Sequence, residues 1–191
     1  MLRRIIITAT LLLSGAVFSA TPPAEEHEAL SRFLKQSLHN AHSFEDKFDA
    51  EVWLMTMQQP LSRYIKDPAE RIDLLKKVHA EATRAGVPPD LVLALIEIES
   101  HFKRFAISRV GAQGMMQVMP FWKNEIGRAD DNLTSIDTNL RYGCTILKFY
   151  IDREKGRLAP ALARYNGSYG RRIYSDKVLA VWNRHWYGPP F

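Results

Sequence analysis

Two carboxylates, Glu97 and Glu99, interrupt an otherwise apolar run of Leu91, Val92, Leu93, Ala94, Leu95, Ile96 and Ile98. On a helix, side chains two positions apart point about 200° away from each other, so the pair cannot act together as acid and base on one face. At most one of them serves a given site. Glu99 shares a stripe with Val92, Leu95 and Ile96, and its carboxylate is expected to emerge from an apolar wall near the helix C-terminus, where the dipole disfavours negative charge. Burial and dipole both favour the protonated form, and an acid kept neutral near pH 7 suits general-acid cleavage of a glycosidic bond. From the helix alone, a carboxylate that merely marks the solvent-facing end is an equal reading, for Glu97 as for Glu99.

The residues that follow favour chemistry: Ser100, Phe102 and Ser108, then the continuous stretch from Gly111 to Pro120. Gly111 and Gly114 predict a close backbone turn, and Met115, Met116 and Met119 read first as adaptable core filler. Gln117 is a two-ended amide between apolar neighbours, which needs partners either from the protein or from a polar ligand. Other signals are weaker. Among His27, His39, His42, His79, His101 and His185 the one close pair, His39 and His42, lies on an acidic segment and reads as surface, so no metal is expected. Asp130, Asp131 and Asn132 do not continue as a calcium loop, and together with Asp137 they read as loop followed by helix cap. Trp182, Trp186, Tyr187 and Phe191 are expected to pack a C-terminal helix into the core rather than stack on sugars. Arg171 and Arg172 suit either a solvated loop or an anionic polymer.

These residues need a scaffold, and the pattern around them is helical. His27 to Ala41 and Phe44 to Met57 place apolar residues at helical spacing, the second through Phe48, Val52, Leu54 and Met55. Asp67 and Pro68 predict a capped start to a third helix, whose stripe of Ile72, Leu75, Val78 and Ala82 ends at Gly86. Pro88 and Pro89 open the helix carrying Glu97 and Glu99, which is apolar all round and therefore buried. No repeat and no alternating strand pattern is seen, although short strands near Ser108 to Gly114 remain open. The fold class expected is mainly α, with at most a small β-hairpin.

Composition narrows the partners. The 191 residues are 46% hydrophobic and 25% charged, which argues against intrinsic disorder, and a single cysteine rules out a disulfide-stapled miniprotein. Cys144, in a helical apolar pattern, reads as a small buried hydrophobe. Of the net +5, residues 1–20 carry +2, residues 21–85 carry −2 and residues 86–191 carry +5. The C-terminal half suits an anionic polymer or surface, but without a run of Lys and Arg it does not point to nucleic acid. Met1 to Arg4 and the apolar run Ile5 to Phe18, ending in Ser19 and Ala20, read as a secretory leader over 1–20. Ala16 stands where a lipid-bearing cysteine would be needed, so no lipoprotein is expected. With the leader cleaved, no stable membrane span is expected.

Glu99 and Ser100, the stretch Gly111 to Pro120, Asp137 to Gly143, and the run Arg164, Tyr165, Asn166, Gly167 follow one another in the order and rough spacing of the family 1 lytic transglycosylases. Over about residues 86–185 the chain resembles the catalytic domain of the soluble lytic transglycosylases. The resemblance implies a lysozyme-like domain over 87–191, carrying a helical N-terminal extension over 21–86, with a groove for peptidoglycan glycan strands. It implies Glu99 as the single catalyst and Gln117 and Met119 beside the scissile sugar. It also implies Ser100 and Ser108 near the substrate, and Tyr165 and Asn166 facing the acid. Two departures stand out: Gly114-Met115-Met116-Gln117 replaces the usual Gly-Leu-Met-Gln, and Asn166-Gly167-Ser168-Tyr169 replaces the usual Asn-Ala-Gly.

Hydrolytic glycosidases usually place two carboxylates across the bond, and none is paired with Glu99 here. The resemblance implies that Glu99 protonates the oxygen between N-acetylmuramic acid and N-acetylglucosamine and then accepts the proton of the sugar's 6-hydroxyl, giving a 1,6-anhydro end. A lysozyme-type hydrolase on the same fold and a non-catalytic glycan-binding protein are the alternatives. The expected setting is the bacterial periplasm, for a monomer without cofactor.

Overall fold

The computed structural model describes residues 47–187. The leader, the helix expected over His27 to Ala41, and Phe191 lie outside the described residues. Within them the chain is mainly helical: α1 (Lys47–Leu61), α2 (Pro68–Ala85), α3 (Pro89–Ser100), α4 (Trp122–Ile126), α5 (Ile136–Arg153), α6 (Leu158–Tyr165) and α7 (Ile173–Val181), closed by a π-helical turn over Trp182–Trp186. In place of strands, two isolated bridges join Ile107 to Gln113 and Gln113 to Val118. The mainly α class expected from the pattern holds, and the possible strands near Ser108 reduce to these bridges.

Local chemistry sets the helix ends. Asp67 Oδ1 accepts from the Ala69 amide at 2.9 Å and Pro68 occupies the first helical position of α2. At the other end Gly86 takes the left-handed conformation. Its amide donates to Thr83 O and that of Val87 to Ala82 O, the paired bonds of a Schellman motif. The α1 stripe differs from the expected one. Ala50, Trp53, Leu54, Met57 and Leu61 are buried, whereas Met55 is 40% exposed. Positions 50, 53, 54, 57 and 61 follow the helical repeat, and 55 falls off that face.

Leu91 to Ile96 are wholly buried, as an all-apolar helix demands. The reason is position: α3 packs against α2, α7 and the π-helical turn, while α5 packs against α2 and α6, and α6 against α7. One core joins Trp53 and Leu54 of α1, Leu75 and Val78 of α2, the whole apolar run of α3, Leu140 and Leu147 of α5, and Trp186. Cys144 is fully buried within it, and burial pushes its thiol up to about 12, the inert state read from its neighbours. No helix among the described residues is long and apolar enough to cross a membrane.

Candidate active site

Helix α3 delivers Glu99 and stops. His101 and Phe102, immediately after Ser100, both have positive φ, 51° and 62°. Two successive non-glycine residues in this region are uncommon, and they turn the chain sharply away from the helix end. Phe102 is held there by its ring contacts with Tyr64 and Trp186, at 5.0 and 5.6 Å between centroids.

The two carboxylates diverge as their spacing requires. Glu97, 6% exposed, accepts from Trp186 Nε1 at 2.8 Å and meets His185 Nδ1 at 3.0 Å. The Tyr64 hydroxyl, raised to about 12 by burial first, also hydrogen-bonds Glu97. Glu97 is thus a buried anchor for the π-helical turn, with its donors in place. Trp186 packs into the core as expected, whereas Tyr187 is 60% exposed.

Glu99, on the other side, accepts from the Tyr174 hydroxyl at 2.5 Å. Burial raises its carboxyl from an ordinary 4.5 to about 7, against the opposing effect of the Tyr174 hydrogen bond. Burial is thus the larger of these two influences on the acid. Tyr165 lies close enough to feel the Glu99 charge, and its hydroxyl donates to Met116 O at 2.8 Å. Both phenols are held well above their ordinary value, by burial first and then by Glu99, so they stay protonated and act as donors.

The loop after α3 is built around two side-chain amides, the half-buried Gln117 and the buried Asn139. Gln117, at φ 50°, donates from Nε2 to Gly114 O at 2.9 Å and to Ala106 O at 3.2 Å, so its nitrogen end finds protein partners. Asn139 of α5, 1% exposed, accepts from the Met116 amide at 2.7 Å and donates to Gln113 O and Leu133 O at 2.9 and 2.8 Å. Contact is so close that a Cβ at Gly114 would stand 2.3 Å from Asn139 Nδ2. Asn139 therefore fixes the backbone at 113–116, and the Met116 carbonyl in turn receives Tyr165. Through these bonds the stretches 111–120, 137–143 and 164–167 converge beside the end of α3.

The remaining expected residues are placed as follows. Ser100 is buried and its hydroxyl donates to Ile96 O at 3.3 Å, within its own helix. Ser108 Oγ accepts from the Ala112 amide at 3.0 Å, closing the turn that contains Gly111. Met119 is half-buried, and Asn166, at the end of α6, is exposed. Asp131 accepts from Tyr142 at 2.5 Å and Asp137 pairs with Lys77 at 3.4 Å, so both carboxylates belong to other contacts than Glu99. Among the described residues no three His, Cys, Asp or Glu side chains gather into a metal-holding group. Sequence reasoning missed Tyr174 and Asn139, because neither carries a local mark of its distant partner.

The described residues thus form a helical domain that lodges one half-buried acid beside Tyr174 and Tyr165 at a helix end, next to an amide-braced loop. Residues 76–177 match the transglycosylase SLT domain family, and the chain belongs to that family. The matched stretch opens inside α2, upstream of the Gly86 turn. Among solved structures, the chain is similar to an inactive variant of the lytic transglycosylase Slt from Pseudomonas aeruginosa, at 22% identity and a TM-score of 0.48. That match covers 83% of this chain and 28% of the other.

Proposed function

We propose that this chain is a peptidoglycan lytic transglycosylase acting in the periplasm, with Glu99 as its one acid and base. The observation that supports it best is the half-buried Glu99 carboxyl aimed by the Tyr174 hydroxyl at 2.5 Å, with burial raising it to about 7, while Asp131 and Asp137 are engaged elsewhere. Glu99 gives its proton to the glycosidic oxygen as the bond to the N-acetylmuramic acid C1 breaks, and the N-acetylglucosamine side leaves as an alcohol. The sugar's own 2-acetamido oxygen supports the positive charge at C1. The Glu99 carboxylate then takes the proton of the 6-hydroxyl, O6 bonds to C1, and the acid is regenerated without water entering.

Tyr174 orients the Glu99 carboxyl, and Tyr165, fixed on Met116 O, sits beside the reacting centre as a preorganised dipole. Gln117 and Asn166 are assigned to the glycan, together with Met119 and Ser108. Ser100, with its hydroxyl on Ile96 O, supports the helix end from which Glu99 projects. The test is mass spectrometry of fragments released from sacculi. Anhydro-ended muropeptides, one water lighter than hydrolytic products, are expected. Reducing ends alone would make the protein a hydrolase, and binding without release would make it a glycan-binding protein.

A further inference from the structure

We infer that Tyr169 is a stacking platform for a sugar ring in a subsite flanking the one where Glu99 acts; this rests on the transglycosylase reading above. The loop 166–172 joins α6 to α7, and the tyrosines at its two ends both stand against Glu99. Tyr174 does so through its hydrogen bond, and Tyr165 through the charge that its hydroxyl feels. The loop is thereby tied to the acid at its Tyr174 end, while at the other end Tyr165 is fixed on Met116 O. Its course is fixed by the Ser168 amide, which donates to Ala163 O at 2.8 Å, and by the Arg171 amide, which donates to Ser168 O at 2.9 Å.

Within this loop the Tyr169 ring is held from one side. The Arg164 guanidinium lies 3.6 Å from the ring centroid. Arg164 is itself fixed, because its Nε donates to Glu154 Oε1 at 2.5 Å, and Glu154 is 3% exposed. Arg157 holds the other oxygen of that carboxylate at 2.8 Å. A buried carboxylate thus sets a guanidinium, and the guanidinium sets a ring. Tyr169 nevertheless remains 56% exposed. A ring whose purpose was to cover Arg164 would gain by burial; this one keeps a large area in water while its orientation is constrained. An aromatic side chain immobilised before binding gives contact area at low entropic cost, the property that makes tyrosine a good recognition surface. The C–H face of a pyranose is the ligand chemistry that fits an open, pre-oriented ring in a loop tied beside a glycosidic-bond acid. The Gly167-Ser168-Tyr169 sequence that places the ring is also where this chain departs from the usual Asn-Ala-Gly continuation.

The experiment measures binding of soluble, uncrosslinked glycan strands of graded length to the Glu99→Gln protein, which holds substrate without cutting it. Adding Tyr169→Ala is expected to weaken binding of long strands about tenfold, and Tyr169→Phe to stay within about twofold, as for removal and retention of an aromatic anchor. Disaccharide-length fragments, which do not reach the flanking subsite, should bind all three proteins alike. Unchanged affinity of Tyr169→Ala for long strands overturns the platform. So does a loss of equal size at every length accompanied by a lower Tm, which would mean that Tyr169 only supports the loop. If Glu99→Gln binds no strand and the wild-type protein releases nothing from sacculi, the transglycosylase reading falls with it; cleavage that continues while Tyr169→Ala binds normally removes the platform alone.

Discussion

The hydroxyl of Tyr174 donates to Glu99 Oε1 across 2.5 Å of space and 75 positions of chain. It opposes the burial that raises the Glu99 carboxyl to about 7, so this one bond both aims the acid and tempers its basicity. Tyr174→Phe is expected to lower kcat about tenfold or more, the scale of a misplaced acid–base group. It should also move the alkaline limb of the pH–rate profile to higher pH, because the opposing hydrogen bond is gone. A fall in Tm with no movement of that limb would reduce Tyr174 to a packing role.

Replacing the acid separates chemistry from binding. Glu99→Gln is expected to abolish release of muropeptides while keeping sacculus binding, since it removes the transferable proton at similar volume. Glu97→Gln should keep the chemistry but cost about 1–3 kcal/mol of stability through its disturbed buried partners. Thermal melts and turnover on both variants check this, and active Glu99→Gln beside inactive Glu97→Gln would reverse the assignment.

The raised carboxyl also carries a signature in unfolding. Below about pH 4.5 Glu99 is protonated in the folded and unfolded chain alike and makes no difference to stability. As pH rises from 4.5 to about 7 the unfolded side chain ionises first, so the folded protein loses stability, and above 7 the penalty is complete at up to about 3 kcal/mol. Glu99→Gln does not titrate. Its stability relative to wild type should be level in acid and grow across that window in denaturant titrations; a gap independent of pH would contradict a buried neutral acid.

Asn139 is expected to be intolerant of change. Asn139→Ala leaves the Met116 amide and the Gln113 and Leu133 carbonyls without this partner in a buried place, which should cost about 2–4 kcal/mol. Because Met116 O also receives Tyr165, turnover should fall in protein that is still folded below the new Tm.

What could be read along the chain was what neighbours in sequence decide. Asp67, Pro68 and Gly86 announce the ends of α2 because their partners lie within a turn or so, and an all-apolar α3 announces its own burial. The spacing of Glu97 and Glu99 likewise showed that they face different ways. Which way each faces depends on Trp186 and Tyr174, more than seventy positions on, and helical periodicity carries no information about them. Asn139 was hidden for a similar reason: a polar residue inside a helix looks like a surface residue until the loop 113–116 closes over it. Gln117, by contrast, was suspected of needing partners, and for its amide nitrogen the protein supplies two.

Glu97 and Glu99 project from one helix end, and each meets a partner far along the chain, Trp186 for the first and Tyr174 for the second. Until those later residues pack, α3 has α2 beside it but lacks the partners of both carboxylates. Glu99 in particular then lacks the Tyr174 hydroxyl that aims it. The setting of the acid therefore rests on contacts of long sequence separation, which close only after α3 itself has formed.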